Sequence, residues 1–479
     1  MNDFFKRRFT VLALLACSLT LLLGIQISPG ISQTVSQAVS QKAAQTAAQT
    51  VAQTVTQTVA QTAPSDMPTP AWQPAQGSWQ PVVSHRKDKG AIKVVWLQGT
   101  PYEMGYQHGT LLHDEIASLG EEVMGALRFS GRGLGLGRLA MRRSFPDVIE
   151  ECRGLSDATQ DIGMTLEACM VLAYADVYQE QFAYLLPEIL FHEGCAGFVA
   201  MGDASIDGHL YHARTLDNGK KPIDYWVKNP TVFIRQPSDG IPHVFTGIPG
   251  AVWPNSGFNA EGVSISLDTA HPRTLDDISL KGASNVQLMA KIMKQAHSYE
   301  EAKALMNTWE HARANLILIA DGKSKQAGVF EILGRELGIR EVTNNGTLYM
   351  TNHFVAPETA GKDPDPASSS LSRYKRLQQV FDREGAYTNY GQFNAEAMVK
   401  VLRDRTDPTT LQVSPLSVYD DDVSVGGNGS MRQELFDNDR LLFWVAGGSV
   451  PVPENPFVCF SFGEMIGLPN AVPCAKSSI

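Results

Sequence analysis

The chain has few cysteines, six in 479 residues, too sparse for a disulfide scaffold of the kind that staples small secreted domains. It has no surplus of basic residues: 40 Lys and Arg stand against 50 Asp and Glu, a formal charge of −10, which argues against a protein built to bind nucleic acid. No long apolar run follows the first 27 residues, which excludes a multi-span membrane protein. Eleven histidines include no His-Glu-x-x-His pair, so no metal site is expected. The glycine-rich stretches lack the lysine and hydroxyl residue of a phosphate-binding loop, and no cofactor is implied. An apolar fraction of 43% against 19% charged residues supports a large core and excludes global disorder.

The first 30 residues read as a signal peptide or membrane anchor. Lys6, Arg7 and Arg8 precede an apolar run from Val11 to Ile25, short for a membrane span and suited to a signal core. Leu15-Ala16-Cys17 leaves lipidation of Cys17 as an alternative fate. Residues 31–90 form a linker: Gln recurs every four positions from Gln33 to Gln61, and a Pro-containing stretch with Met67-Pro68-Thr69-Pro70 follows. The expected location is therefore extracytoplasmic, a bacterial periplasm, with membrane attachment through the N-terminal segment as one form. After export, Cys152, Cys169, Cys459 and Cys474 could form two disulfides, in a pairing that the sequence leaves open.

No long linker divides residues 91–479, which read as one α+β domain. A strand is expected at 91–97 and a helix from Tyr102 through Leu119, with Gly105 and Gly109 four apart on one face for close packing. Helical patterning continues intermittently to about residue 190. At Gly194 the pattern changes to short β-branched and aromatic runs between turns. Strands are expected at 195–201, 209–214, 230–235, 242–246, 262–267, 315–321, 326–332 and 347–351. Helices are expected at 282–297, 299–311, 371–381 and 394–403.

The sharpest local feature lies at that change, in Gly194-Cys195-Ala196-Gly197-Phe198. A cysteine thiolate attacks carbonyls well and leaves acceptably. A buried structural thiol would look the same. Pairing 195–201 with 209–214 symmetrically about a turn near Ala204-Ser205 sets Arg214 opposite Cys195, where it would stabilise a thiolate or hold a carboxylate. Asp217 follows and is placed to accept a proton from an amine. Asn259 and Asn352 each precede or end an expected strand. An asparagine amide can donate to an oxyanion, and can equally cap a turn. The run Asp420-Asp421-Asp422 with Gly426-Gly427-Asn428-Gly429 lacks the spacing of a calcium hand and reads as a solvated loop.

Taken together, Gly99 to Gly109, Glu151-Cys152-Arg153-Gly154-Leu155, Gly194-Cys195 and His212-Ala213-Arg214-Thr215-Leu216-Asp217 resemble the acyl-coenzyme A:isopenicillin N acyltransferase-like proteins, the C45 peptidase family of N-terminal nucleophile hydrolases. Thr351-Asn352 resembles the oxyanion segment of the related bile-salt and penicillin V hydrolases, and Ser372-Arg373-Tyr374 a segment with an active-site arginine. The resemblance implies a four-layer αββα fold and self-cleavage between Gly194 and Cys195. It implies catalytic roles for Cys195, Arg214, Asp217, Asn352 and Arg373, with Asn259 a structural or pocket residue. It further implies a small-molecule acyl amide substrate, no cofactor and no metal. The position after Leu267, where a second oxyanion donor would lie, carries Asp268 and no asparagine. The function expected is an exported, self-processed cysteine amidohydrolase. The alternatives are acyl transfer through the same thioester, a phospholipase-like acyl hydrolase, or an exported binding protein without activity.

Overall fold

The computed structural model describes residues 83–183, 194–219, 221–274, 279, 282–364 and 368–479. The expected signal or anchor at 1–30, the linker up to residue 82, and His192 and Glu193 before the proposed cut lie outside the described residues. The chain divides into two compact units. One is drawn from Pro101–Leu190 and Pro249–Val252, the other from Pro68–Thr100, Phe191–Ile248 and Trp253–Ile479.

The first unit is helical: α1 (Pro101–Leu111), α2 (His113–Ala117), α3 (Gly120–Arg128), α4 (Leu136–Met141), α5 (Pro146–Ala158), α6 (Leu166–Ala173) and α7 (Ala175–Ala183). The single helix expected from Tyr102 to Leu119 is thus two, broken at Leu112. The close packing expected of Gly105 is present. A Cβ there would lie 1.9 Å from the Glu151 carbonyl oxygen, and one at Gly154 would lie 2.0 Å from that of Tyr102, so α1 and α5 touch backbone to backbone. Cys152 on α5 and Cys169 on α6 form a disulfide.

The second unit holds all the strands found among the described residues. They are β1 (His85–Arg86), β2 (Lys93–Gly99), β3 (Ala196–Gly202), β4 (Gly208–Asp217), β5 (Thr231–Pro237), β6 (His243–Gly247), β7 (Ser256–Asn259), β8 (Val263–Thr269), β9 (Asn315–Asp321), β10 (Gln326–Leu333), β11 (Glu336–Glu341), β12 (Thr347–Met350), β13 (Ser430–Asp437), β14 (Leu442–Ala446) and β15 (Val458–Ser461). Its helices are α8 (Asp224–Lys228), α9 (Asn285–Gln295), α10 (Tyr299–Thr308), α11 (Ser368–Phe381), α12 (Ala395–Leu402) and α13 (Phe462–Met465). A nine-stranded sheet runs β1-β2-β5-β6-β7-β8-β9-β10-β11, and a six-stranded sheet runs β12-β3-β4-β13-β14-β15. Pairing is antiparallel except between β2 and β5.

Strand alternation builds the layers. Leu316, Leu318 and Ala320 of β9 pack with Val199, Met201 and Leu210 of the other sheet, forming one core between the sheets. The neighbouring positions Ile317 and Ile319 point to the opposite face, on the side of α9 and α10. On the outer face of the six-stranded sheet, Phe198, Tyr211 and Leu435 pack with Leu377 and Phe381 of α11 and Met398 and Leu402 of α12. The order helix, sheet, sheet, helix is the αββα arrangement that the resemblance implies. Both faces of each central strand are covered, which explains why Asn-Leu-Ile-Leu-Ile-Ala-Asp of β9 is continuously buried. A second disulfide, Cys459–Cys474, ties the C-terminal segment to β15.

Candidate active site

Cys195 sits one residue before β3, the strand next to the β12 edge of the six-stranded sheet, between β12 and β4. Because both neighbours run antiparallel to it, the start of β3 lies beside the ends of β12 and β4. Three strand ends therefore gather Cys195, Asp217 (the last residue of β4) and Asn352, two residues past β12. Arg373 reaches the same place from α11.

The hairpin register differs from the symmetric one. Arg214 pairs with Gly197, not with Cys195: the pair Gly202 and Gly208 centres the turn on Ser205, which shifts the register by one residue, and the irregularity between Ala200 and Gly202 adds one more. The slip is two residues, so side-chain faces are preserved, and Arg214 still points to the thiol. Its Nη2 stands 4.0 Å from Cys195 Sγ and donates to the Leu267 carbonyl at 2.5 Å. Cys195 is the free cysteine among the described residues and is 4% exposed. Its Sγ donates to the Asp217 carbonyl at 3.6 Å. Burial pushes the thiol up to about 12, with Arg214 opposing.

Asp217 is also buried, and burial pushes its carboxyl up to about 6 against hydrogen bonds that favour the charged form. Thr215 and Ser430 hydroxyls donate to Oδ1 at 2.6 and 2.5 Å, and the Gly427 N–H donates to Oδ2 at 3.3 Å. The glycine-rich stretch expected to be a solvated loop is this cradle, with Gly426, Gly427 and Gly429 buried. Asp421 braces it, accepting the Gly429 N–H at 2.9 Å. Gly194 approaches from the other side, where a Cβ would lie 2.7 Å from the Asp217 Cβ.

Asn352 has a fixed orientation. Arg373 donates from Nη2 to Asn352 Oδ1 at 2.9 Å and from Nη1 to the Cys195 carbonyl. An arginine cannot accept, so the Asn352 oxygen must face it. Asn352 Nδ2 donates to the Thr269 carbonyl at 2.8 Å, which occupies one of two amide hydrogens. Asn259 stands elsewhere. It donates to the Met293 and Ala296 carbonyls at 3.2 and 2.8 Å and accepts from the Glu261 and Val263 N–H groups at 3.1 Å each, joining the β7–β8 turn to α9.

Three residues that hold Asp217 were not marked as site residues by the sequence: Thr215, Gly427 and Ser430. The polar pattern of β13, with Arg432, Gln433 and Glu434 in a fully buried strand, hid the segment that positions Ser430. Asp268 is fully buried on β8, its Oδ1 3.5 Å from Arg214 Nε. The described residues hold one cluster with metal-ligand character, His209, Asp437 and Asp439. Its carboxylates already face Arg440 and Lys325.

Residues 209–417 match the family model described as acyl-coenzyme A:6-aminopenicillanic acid acyl-transferase, a span that begins C-terminal to Cys195 and contains Arg214, Asp217, Asn352 and Arg373. An uncharacterized protein of Archaeoglobus fulgidus is 23% identical over 407 residues, 74% of this chain and 64% of that protein. The chain thus spans under two thirds of that relative. Among solved structures, the Caenorhabditis elegans N-acylethanolamine-hydrolyzing acid amidase ortholog aligns at 15% identity and a TM-score of 0.36, over 55% of this chain and 96% of that one. Penicillin V acylase from Agrobacterium tumefaciens aligns at 15% identity and 0.33, over 54% and 84%. Residues 209–417, less than half of the chain, are thus similar to the acyl-coenzyme A:6-aminopenicillanic acid acyl-transferase family.

Proposed function

We propose that the protein is a self-processing cysteine amidohydrolase acting on a small N-acyl amide through a thioester. The observation that carries this reading is the convergence of three strand ends on Cys195, with Gly194 against Asp217 and Asn352 locked by Arg373. In the first event the Cys195 thiol adds to the Gly194 carbonyl. The C–N bond breaks as the C–S bond persists, the nitrogen takes the proton, and water hydrolyses the resulting thioester. The product is a free α-amine on Cys195, with a reference pKa near 7.7–8.0.

In the mature site that amine takes the thiol proton, and the thiolate attacks the substrate carbonyl. The second amide hydrogen of Asn352 donates to the developing oxyanion. Asp217 fixes the ammonium, and Arg214 supports the thiolate. The ammonium returns its proton to the leaving amine, and water then releases the acid. An amine in place of water would give acyl transfer, which the matched family's name makes the second reading. Export is part of the proposal: two disulfides suit an oxidising compartment, as do the basic cluster and apolar run at the N-terminus.

Intact-mass measurement of the purified protein tests the reading. A chain beginning at Cys195 and acylated there by substrate is expected. An uncut chain that hydrolyses acyl substrates would overturn self-processing. Ester cleavage with no amide turnover across N-acyl amino acids, N-acyl homoserine lactones and penicillin-like amides would overturn the substrate class.

A further inference from the structure

We propose that Arg432 and Glu434 of β13 are positioning residues that hold Arg214 against the nucleophile, through a circuit of buried contacts joining the two sheets. The proposal rests on the reading of Cys195 as nucleophile and of Arg214 as the cation that supports its thiolate. Its ground is the way Arg214 is held. Nη2 stands 4.0 Å from Cys195 Sγ and donates to the Leu267 carbonyl, while among the described residues Nε and Nη1 make no hydrogen bond. An arginine carries five N–H donors, and one carbonyl does not fix such a group. On the six-stranded sheet, β13 pairs with β4 so that Glu434 lies directly opposite Arg214. Cross-strand partners share a face, with Cβ atoms about 4.5–5.5 Å apart. That face is the one between the sheets, because the neighbouring Ala213 and Leu435 pack on the outer face with α12.

The nine-stranded sheet closes the circuit. Leu267, whose carbonyl receives Arg214, donates its own N–H to the Asn255 carbonyl at 3.2 Å. Asn255 Oδ1 accepts from Arg432 Nη2 at 3.2 Å, and Arg432 Nε donates to Glu434, the residue opposite Arg214. The end of β6 pins the pair: Arg432 Nη1 donates to the Gly247 carbonyl at 2.8 Å, and the Thr246 hydroxyl donates to Glu434 Oε1 at 2.7 Å. Arg214, Thr246, Asn255, Arg432 and Glu434 are all buried. The charged and titratable groups facing Arg214 are Cys195 before β3, His212 and Asp217 on β4, Asp268 on β8, and Arg432 and Glu434 on β13. Arg373 of α11 reaches the Cys195 carbonyl beside them. Three of these groups are carboxyls, and they differ. Burial pushes Asp217 up to about 6 and Asp268 up to about 7. Burial opposes the charge of Glu434 too, but Arg432 and Arg214 outweigh it and hold that carboxyl below its usual value. Glu434 is therefore the counter-charge of Arg214 that persists near neutral pH, and it is itself tied to a cation fixed at three points.

The test removes the pair and reads the thiol. In the double variant Arg432→Met, Glu434→Leu, one positive and one negative charge leave together, and apolar residues of similar volume often replace a buried ion pair without loss of stability. Cys195 of the processed chains is alkylated with iodoacetamide over a range of pH and followed by mass. A retreat of Arg214 from about 4 to about 6 Å, at an effective dielectric of about 20, raises the pH midpoint by about 1 unit. The double variant should show that rise, which a role in stability alone would not produce. An unchanged midpoint in folded, processed double variant would overturn the proposal. Glu434→Gln tests the sign. Loss of a negative charge would by itself lower the midpoint, so a rise reports a displaced Arg214, and a fall or no change overturns the proposal. Should neither variant fold or process, a crystal structure of processed wild type decides. Arg214 on the Leu267 carbonyl, with Arg432 joining Glu434 to Asn255, is expected; a circuit broken at any of these contacts while Arg214 keeps its place at Cys195 would overturn the proposal. The alkylation needs no substrate, so a mature protein whose Cys195 is never acylated by substrate would sink the nucleophile reading instead.

Discussion

Cleavage of the Gly194–Cys195 bond should itself activate the thiol, and by an amount that the site allows one to work out. In the uncut chain the Cys195 nitrogen is an uncharged amide, and burial holds the thiol up at about 12 despite Arg214 at 4.0 Å. Cleavage adds an ammonium within the same residue. At about 4 Å and an effective dielectric of about 20, one positive charge stabilises the thiolate by roughly 4 kcal/mol. At 1.36 kcal/mol per pKa unit, that is a fall of about 3 units. The amine and thiol then titrate as a coupled pair, and the measured midpoint belongs to both. Alkylation of Cys195 by iodoacetamide, followed by mass against pH, reads this directly. The mature chain should react at a pH about 3 units lower than the uncut fraction of Gly194→Val, separated by mass while its slowed cleavage is incomplete. Coincident pH profiles for the two forms would refute the electrostatic argument and remove the amine as the activating group.

Gly194→Val should slow self-cleavage about 10²-fold, since even the first added carbon would lie 2.7 Å from Asp217 Cβ and must displace the scissile carbonyl by nearly 1 Å; a time course of intact mass reads it, and wild-type cleavage speed would refute it. Asn352→Ala in processed protein should lower kcat about 10²–10³-fold with KM little changed, the loss of about 2.7–4 kcal/mol expected of one oxyanion donor; near-normal turnover would remove the role. The two chains of the cut protein should co-elute in native size exclusion, because β2 lies N-terminal to the cut and pairs along its length with β5, C-terminal to it. They should part on a denaturing gel without reductant, because each disulfide lies wholly on one side of the cut.

Much of the second unit was legible in the sequence because its strands are short apolar runs between turn residues. The expected 315–321 is β9 itself, and 326–332 differs from β10 by one residue. The helix expected at 299–311 stops at Thr308. The C-terminal strands were illegible for a physical reason. In β13 every residue is buried, yet its middle is Arg432-Gln433-Glu434, and these polar side chains are satisfied by partners distant in sequence. Arg432 donates to Glu434, to the Gly247 carbonyl at 2.8 Å and to Asn255 at 3.2 Å. No periodicity reveals such a strand. The site was legible in kind and not in detail. Cys195, Arg214 and Asp217 were marked by nearness in sequence, whereas the cradle of Asp217 comes from a loop more than two hundred residues later. The hairpin slip could not be foreseen, because it depends on a turn centred on Ser205 and on a one-residue irregularity between Ala200 and Gly202.

The buried charges weigh on whether this fold is a catalyst or a retained shell. Arg214, Arg373 and Arg432 are among the most deeply buried large side chains of the unit, and Asp217, Asp268 and Glu434 are buried with them. Burying ion pairs is a poor route to stability, since desolvation offsets much of the attraction and apolar residues of similar volume often do as well or better. In Asp268 and Arg214 the cost is plainest, because their facing atoms leave hydrogen-bonding capacity unused among the described residues. Such an arrangement makes sense where charge will develop. A thiolate, an ammonium and an oxyanion formed at Cys195 would each meet a preset partner of opposite sign or a donor, without reorganisation at the moment of reaction. A binding protein that had lost the chemistry would keep the desolvation cost and none of the return. The charged surroundings of Cys195 therefore favour the enzyme over the inert alternative.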